Sequence, residues 1–107
     1  IEDNFPKMKP PKNPNSERKF DVRLSDLDIN QHVNNVKYIE WALESVPFDI
    51  WRTKILSDLE ISFRSETKYG ENIIIQTEQN EDVFIHNVIS EEDQRDLALL
   101  KTTWRDK

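Results

Sequence analysis

The chain has 107 residues, 34% charged and 36% hydrophobic, so it fits one domain with a thin core, better served by a single sheet covered by one helix than by a thick bundle. It has no cysteine, which excludes a disulfide framework, a thiolate zinc site and a cysteine nucleophile; with only His32 and His86 besides, neither a metal nor a cofactor is expected. A net charge of −6 argues against nucleic acid as the main partner, and no apolar run nears the ~20 residues of a membrane span, so a soluble, intracellular protein is expected.

Residues 1–15 contain Pro6, Pro10, Pro11 and Pro14. Proline fixes φ and removes a donor, so this stretch is expected to be an extended interdomain linker, with the domain proper at 16–107. Residues 1–24 carry six basic and four acidic side chains, a basic entry segment in an acidic chain, of the kind that can meet an acidic partner. From Arg18 to Leu24, the alternation of Phe20, Val22 and Leu24 with Lys19, Asp21 and Arg23 predicts a half-buried strand. Asp26, Asp28 and Asn30 break that pattern with turn-forming side chains. A helix follows, with Val36, Ile39, Leu43 and Val46 spaced by three and four, Ala42 beside them, and Tyr38 and Trp41 off the stripe. Pro47 ends it.

Four β-rich runs complete the chain: Leu59, Ile61 and Phe63; Ile73 to Ile75; Val83 to Ile85 with Val88 and Ile89; and Leu97 to Leu100 leading to Trp104. The polar separators 68–72, 79–82 and 90–96 read as turns, which implies an antiparallel meander. The expected class is α+β: one long helix packed on a curved antiparallel sheet of about five strands. That is the hotdog layout, although ferredoxin-like and other α+β sheets share the pattern.

The chemistry-bearing cluster is Asp28, Asn30 and His32, two residues apart and just before the helix. In extended backbone, such side chains project to one side. A carboxylate, an amide and an imidazole would then stand over a helix N-terminus, where unpaired N–H groups favour an anion. Acyl transfer needs such a set, with a base, an oxyanion donor and a proton-handling group. Taken singly, Asp and Asn before a helix serve as caps and turn formers, and this reading is preferred for Asn34 and Asn35. His86 alternates with Phe84 and Val88 and reads as a strand residue.

The run from Asp26 through Asp28, Asn30, His32, Val33, Asn34 and Asn35 to Tyr38 and Trp41 closely resembles the second hotdog domain of the acyl-acyl carrier protein thioesterases of plants and bacteria. The resemblance continues through Leu43 to Pro47 and returns at Leu59 to Glu66, like that family's strand ending in Arg-x-Glu. It covers roughly residues 20–105. It implies catalytic roles for Asp28, Asn30, His32 and Glu66, no cofactor, and hydrolysis of fatty acyl-acyl carrier protein to free fatty acid. Glu66 would activate water or attack the carbonyl, Asp28 and His32 would orient it and handle protons, and Asn30 would steady the oxyanion.

Plant members commonly carry a cysteine directly after this glutamate; here Thr67 stands there, which shifts weight to a carboxylate mechanism. The implied partners are an acyl carrier protein and a second hotdog domain, which would build most of the acyl tunnel. The implied compartment is the cytoplasm for a bacterial source and the plastid stroma for a plant one. Two other readings fit the same residues. One is a single-hotdog thioesterase acting on acyl-coenzyme A; the other is a docking half without its own acyl tunnel.

Overall fold

The computed structural model describes Pro14 and residues 16–107. The linker expected at 1–15 lies outside the described residues, Pro14 apart. Five strands follow in chain order: β1 (Ser16–Asp21), β2 (Lys54–Phe63), β3 (Asn72–Asn80), β4 (Val83–Ser90) and β5 (Asp96–Asp106). Two helices, α1 (Asn35–Glu44) and α2 (Phe48–Thr53), lie between β1 and β2. The strands form one antiparallel sheet in the order β1-β3-β4-β5-β2, so the expected four-run meander holds from β3 to β5, whereas its first run, in β2, pairs with β5 at one edge and β1 forms the other. Register shifts put one extra residue in β2 at Ser57 and one in β5 at Leu97, bending those strands locally.

Strand β1 ends at Asp21, earlier than the alternation predicts. Val22 is buried as expected, whereas Leu24 is 68% exposed in a short 3-10 turn. The Asp26 carboxylate causes this. It accepts the Arg23 backbone N–H at 2.8 Å and folds the chain back before the alternation can continue. Fully buried, it also faces Lys37 Nζ at 3.6 Å and Arg23 Nη2 at 3.4 Å, which ties the start of the loop to α1.

The buried face of α1 differs from the predicted stripe. Tyr38, Trp41, Ala42, Ser45 and Val46 are buried, Val36 is 55% exposed, and Ile39 and Leu43 are half-buried. Both stripes have helical spacing and share Ala42 and Val46, so periodicity alone cannot separate them. The aromatic side chains decide it, because each buries more apolar area than a valine. Trp41 stacks on Phe20 at 6.3 Å, and Tyr38 meets Trp41 and Phe63 edge-on at 5.6 and 5.8 Å. Tyr38 and Trp41 join Ile73, Ile75, Val88, Ala98 and Leu100 of the sheet in the main core, with Phe20 packed against it.

Helix α1 closes at Glu44, just short of Pro47 as the sequence predicts, and a second, short helix not expected from the sequence, α2, begins directly after Pro47, whose fixed φ suits a helix start. Trp51 of α2 packs edge-on against Trp104 at 5.0 Å and donates Nε1–H to the Leu43 carbonyl. Strand β2 therefore starts at Lys54, five residues before the apolar alternation becomes legible.

Candidate active site

Residues 27–34 form a tight loop between the 3-10 turn and α1, closed by an isolated antiparallel bridge between Leu27 and Val33. Asp28 organises it. Its Oδ1 accepts the backbone N–H groups of Asn30 at 2.9 Å and His32 at 3.0 Å, while its own N–H reaches the His32 carbonyl at 2.7 Å. Gln31 adopts φ 64° at the loop tip, a left-handed conformation that an extended strand lacks. The chain turns between Asn30 and His32, so the three residues do not share the extended backbone that their spacing suggests. At the C-terminal end of the loop, Asn34 caps α1, accepting the Val36 N–H at 3.0 Å, as the capping reading expects.

Across from the loop, β2 runs out at Phe63, and residues 64–68 continue without regular structure. Glu66 lies here, and its Oε1 is 3.2 Å from His32 Nδ1, a contact between residues 34 positions apart. Both groups are open to solvent, with side-chain exposures of 57% for His32 and 76% for Glu66. An open depression of ≈ 550 Å³ runs along the contact, lined by Asp28, His32, Asn34 and Asn35 on one side and by Phe63 and Glu66 on the other. Tyr38 also lines it; burial holds the phenol above the usual tyrosine pKa, opposed by the Thr67 backbone and reinforced by the nearby Glu66 charge. Tyr38 thus stays a neutral donor at ordinary pH.

The structure brings Asp28, His32 and Glu66 to one depression, while Asn30 stays exposed at the loop tip, outside its lining. Tyr38 was legible as an aromatic residue one turn into the helix, but its position off the assumed stripe pointed away from the site. Thr67 is buried, and its Oγ1 has no hydrogen-bond partner. Among the described residues, no group of three or more His, Asp or Glu side chains is arranged to hold a metal ion. No helix among them is long and apolar enough to cross a membrane.

The arrangement suits water-dependent acyl chemistry. A carboxylate beside an imidazole can accept a proton from water, and a capped helix N-terminus borders the space where a carbonyl oxygen would gain charge.

Residues 9–106 match the family model of the acyl-ACP thioesterase C-terminal domain. Two chloroplastic acyl-acyl-carrier-protein hydrolases of Cuphea viscosissima are 36% and 35% identical to the chain, over 90 and 126 aligned residues. These alignments cover 79% and 100% of this chain but 22% and 27% of the relatives, so the chain spans about a quarter of their length. The 12:0-ACP thioesterase of Umbellularia californica superposes with a TM-score of 0.88 at 25% identity, over 100% of this chain and 42% of that one. By sequence and by fold, the chain belongs to the acyl-ACP thioesterase family, through its C-terminal domain.

Proposed function

We propose that this chain supplies the catalytic groups of an enzyme that hydrolyses the thioester of fatty acyl-acyl carrier protein to a free fatty acid and the carrier thiol. The observation that carries this reading is the 3.2 Å contact between His32 Nδ1 and Glu66 Oε1 at the rim of the depression. His32 donates its Nδ1 proton to one Glu66 oxygen, which leaves the other oxygen to take a proton from water. The water oxygen adds to the thioester carbon, and the carbonyl oxygen becomes an oxyanion beside Asn34 and Asn35 at the α1 N-terminus. Collapse of the adduct breaks the C–S bond, and the proton on Glu66 passes to the departing sulfur. Asp28 acts through the backbone, holding His32 in register. We assign Asn30, at the loop tip, a contact with the incoming thioester from outside the depression.

The depression has only Val33, Tyr38 and Phe63 as apolar wall, too few to enclose an acyl chain. We therefore assign the acyl tunnel to a second hotdog domain, joined through a linker at residues 1–15 to a hotdog domain at 16–107. In that assignment α1 is the core of the long hotdog helix. The outer edge of β2, a ten-residue strand with exposed Ile55, Leu56 and Phe63, supports this reading as an apolar edge open to cover. The plant relatives are chloroplastic, and the plastid stroma is the corresponding compartment for a plant source.

Turnover on matched acyl-acyl carrier protein and acyl-coenzyme A, by the chain joined to its second domain, tests the proposal. The expected result is preference for the carrier-protein substrate and loss of turnover in Glu66→Ala. Turnover of the coenzyme A ester alone would reassign the substrate, and no turnover of either would leave a docking half.

A further inference from the structure

Glu66 lies on a stretch that belongs to no strand, so its carboxylate is only as well placed as the backbone beneath it. Much of what holds residues 64–68 comes from one place, the turn between β4 and β5 and the start of β5. The Arg64 and Ser65 N–H groups share the Leu97 carbonyl at 2.9 and 3.2 Å, and Ser65 Oγ donates to the Asp96 carbonyl at 2.6 Å. The Glu66 carbonyl is held by a side chain, accepting Arg95 Nη2–H at 2.8 Å.

Arg95 is itself fixed from two sides. Its Nη1 donates to Asp93 Oδ2 at 2.6 Å, and its Nη2 also reaches Glu71 Oε2 at 3.2 Å. Glu71 in turn accepts the Lys68 N–H at 2.9 Å and the Ser90 hydroxyl at 2.9 Å, so one carboxylate joins both ends of the arrangement. A planar guanidinium can serve a carbonyl and two carboxylates at once, whereas an ammonium is a single charged point on a flexible stem.

We infer that Arg95 is a positioning residue for the hydrolysis: it clamps the Glu66 main chain and thereby holds the Glu66 carboxylate against His32. The inference rests on the assignment of Glu66 to the chemistry. It carries a consequence for the turn at 90–96, which reads in the sequence as a mere connection between strands but here forms the support of the catalytic rim.

The test is a double-substitution cycle on turnover of acyl-acyl carrier protein by the catalytically competent protein, with Arg95→Met and Arg95→Lys each made alone and on Glu66→Ala. Loss of the clamp should lower kcat of Arg95→Met by about tenfold to a hundredfold, since misplacement by an ångström has that scale, and leave KM within about twofold. Arg95→Lys should recover part of the loss. On Glu66→Ala, assayed at high enzyme concentration, neither substitution should lower the residual rate further. Equal losses in both backgrounds would make Arg95 merely structural and overturn the inference. Full activity in Arg95→Met would also overturn it. Should Arg95→Met fail to fold, the charge-retaining Arg95→Lys cycle decides between the same two outcomes. Unchanged turnover in Glu66→Ala alone, or none in the unsubstituted protein, would instead remove the role of Glu66 and this inference with it.

Discussion

The two histidines occupy opposite kinds of site. His86 sits in the middle of β4, fully buried, stacked on Phe84 at 6.1 Å, with each ring nitrogen 3.0 Å from a threonine hydroxyl, Thr77 on β3 and Thr102 on β5. Thr102 also accepts Trp104 Nε1–H at 3.1 Å, so a polar line crosses three strands inside the core. His32 sits at a loop end, more than half exposed, with one carboxylate beside it and open space in front. A ring whose nitrogens are both engaged, in a site closed to water, has no capacity left for substrate. The lesson is that burial and hydrogen-bond saturation mark the structural histidine, and an incomplete shell at a rim marks the reactive one.

Substitutions at the two sites should therefore separate activity from stability. Glu66→Ala and His32→Ala should each lower turnover of acyl-acyl carrier protein at least about a hundredfold, with thermal midpoints near that of the parent. His86→Ala should do the reverse. It leaves a cavity and two buried hydroxyls short of a partner, at a cost of about 3 kcal/mol by urea unfolding, with kcat retained at temperatures where the variant is folded. A large loss of kcat in folded His86→Ala would erase the contrast.

Acid sharpens it further. Burial lowers the His86 pKa from 6.5 to about 4, so the folded ring resists the proton that the unfolded chain accepts. The contribution of the neutral ring is fully present above pH ~6.5 and is lost as pH falls toward about 4. Between pH 6.5 and 5.5 the parent should lose about 1 kcal/mol that His86→Gln does not lose, seen as converging urea midpoints. The smallest effect belongs to the loop. Asn34→Ala should cost about 1 kcal/mol through the lost α1 cap and change the rate less than Glu66→Ala.

Much of this was legible in the residues. The β runs at 73–75, 83–89 and 97–104 appear in the sheet as β3, β4 and β5, because polar turn residues separate them. Asn34 is a cap and His86 a strand residue, as their neighbours indicate. Three features escaped for separate physical reasons. The rotation of α1 is set by rings that pack on Phe20 and Phe63, contacts distant in sequence. Helix α2 is short and carries exposed Phe48 and Trp51, so it lacks the apolar periodicity that announces a helix. The left-handed Gln31 is not glycine, and nothing in its side chain signals the turn that moves Asn30 away from His32. Local spacing located the loop; Glu66 comes to it from the end of β2 through contacts distant in sequence, the pairing of β2 with β5 and the hold of Arg95.

The central claim is that His32 and Glu66 act as one unit. The direct measurement is kcat on acyl-acyl carrier protein for His32→Ala, Glu66→Ala and the double variant. The double variant should be no slower than the worse single one, because removing either partner already disables the pair. Losses that multiply, or a single variant with near-parental turnover, would contradict it.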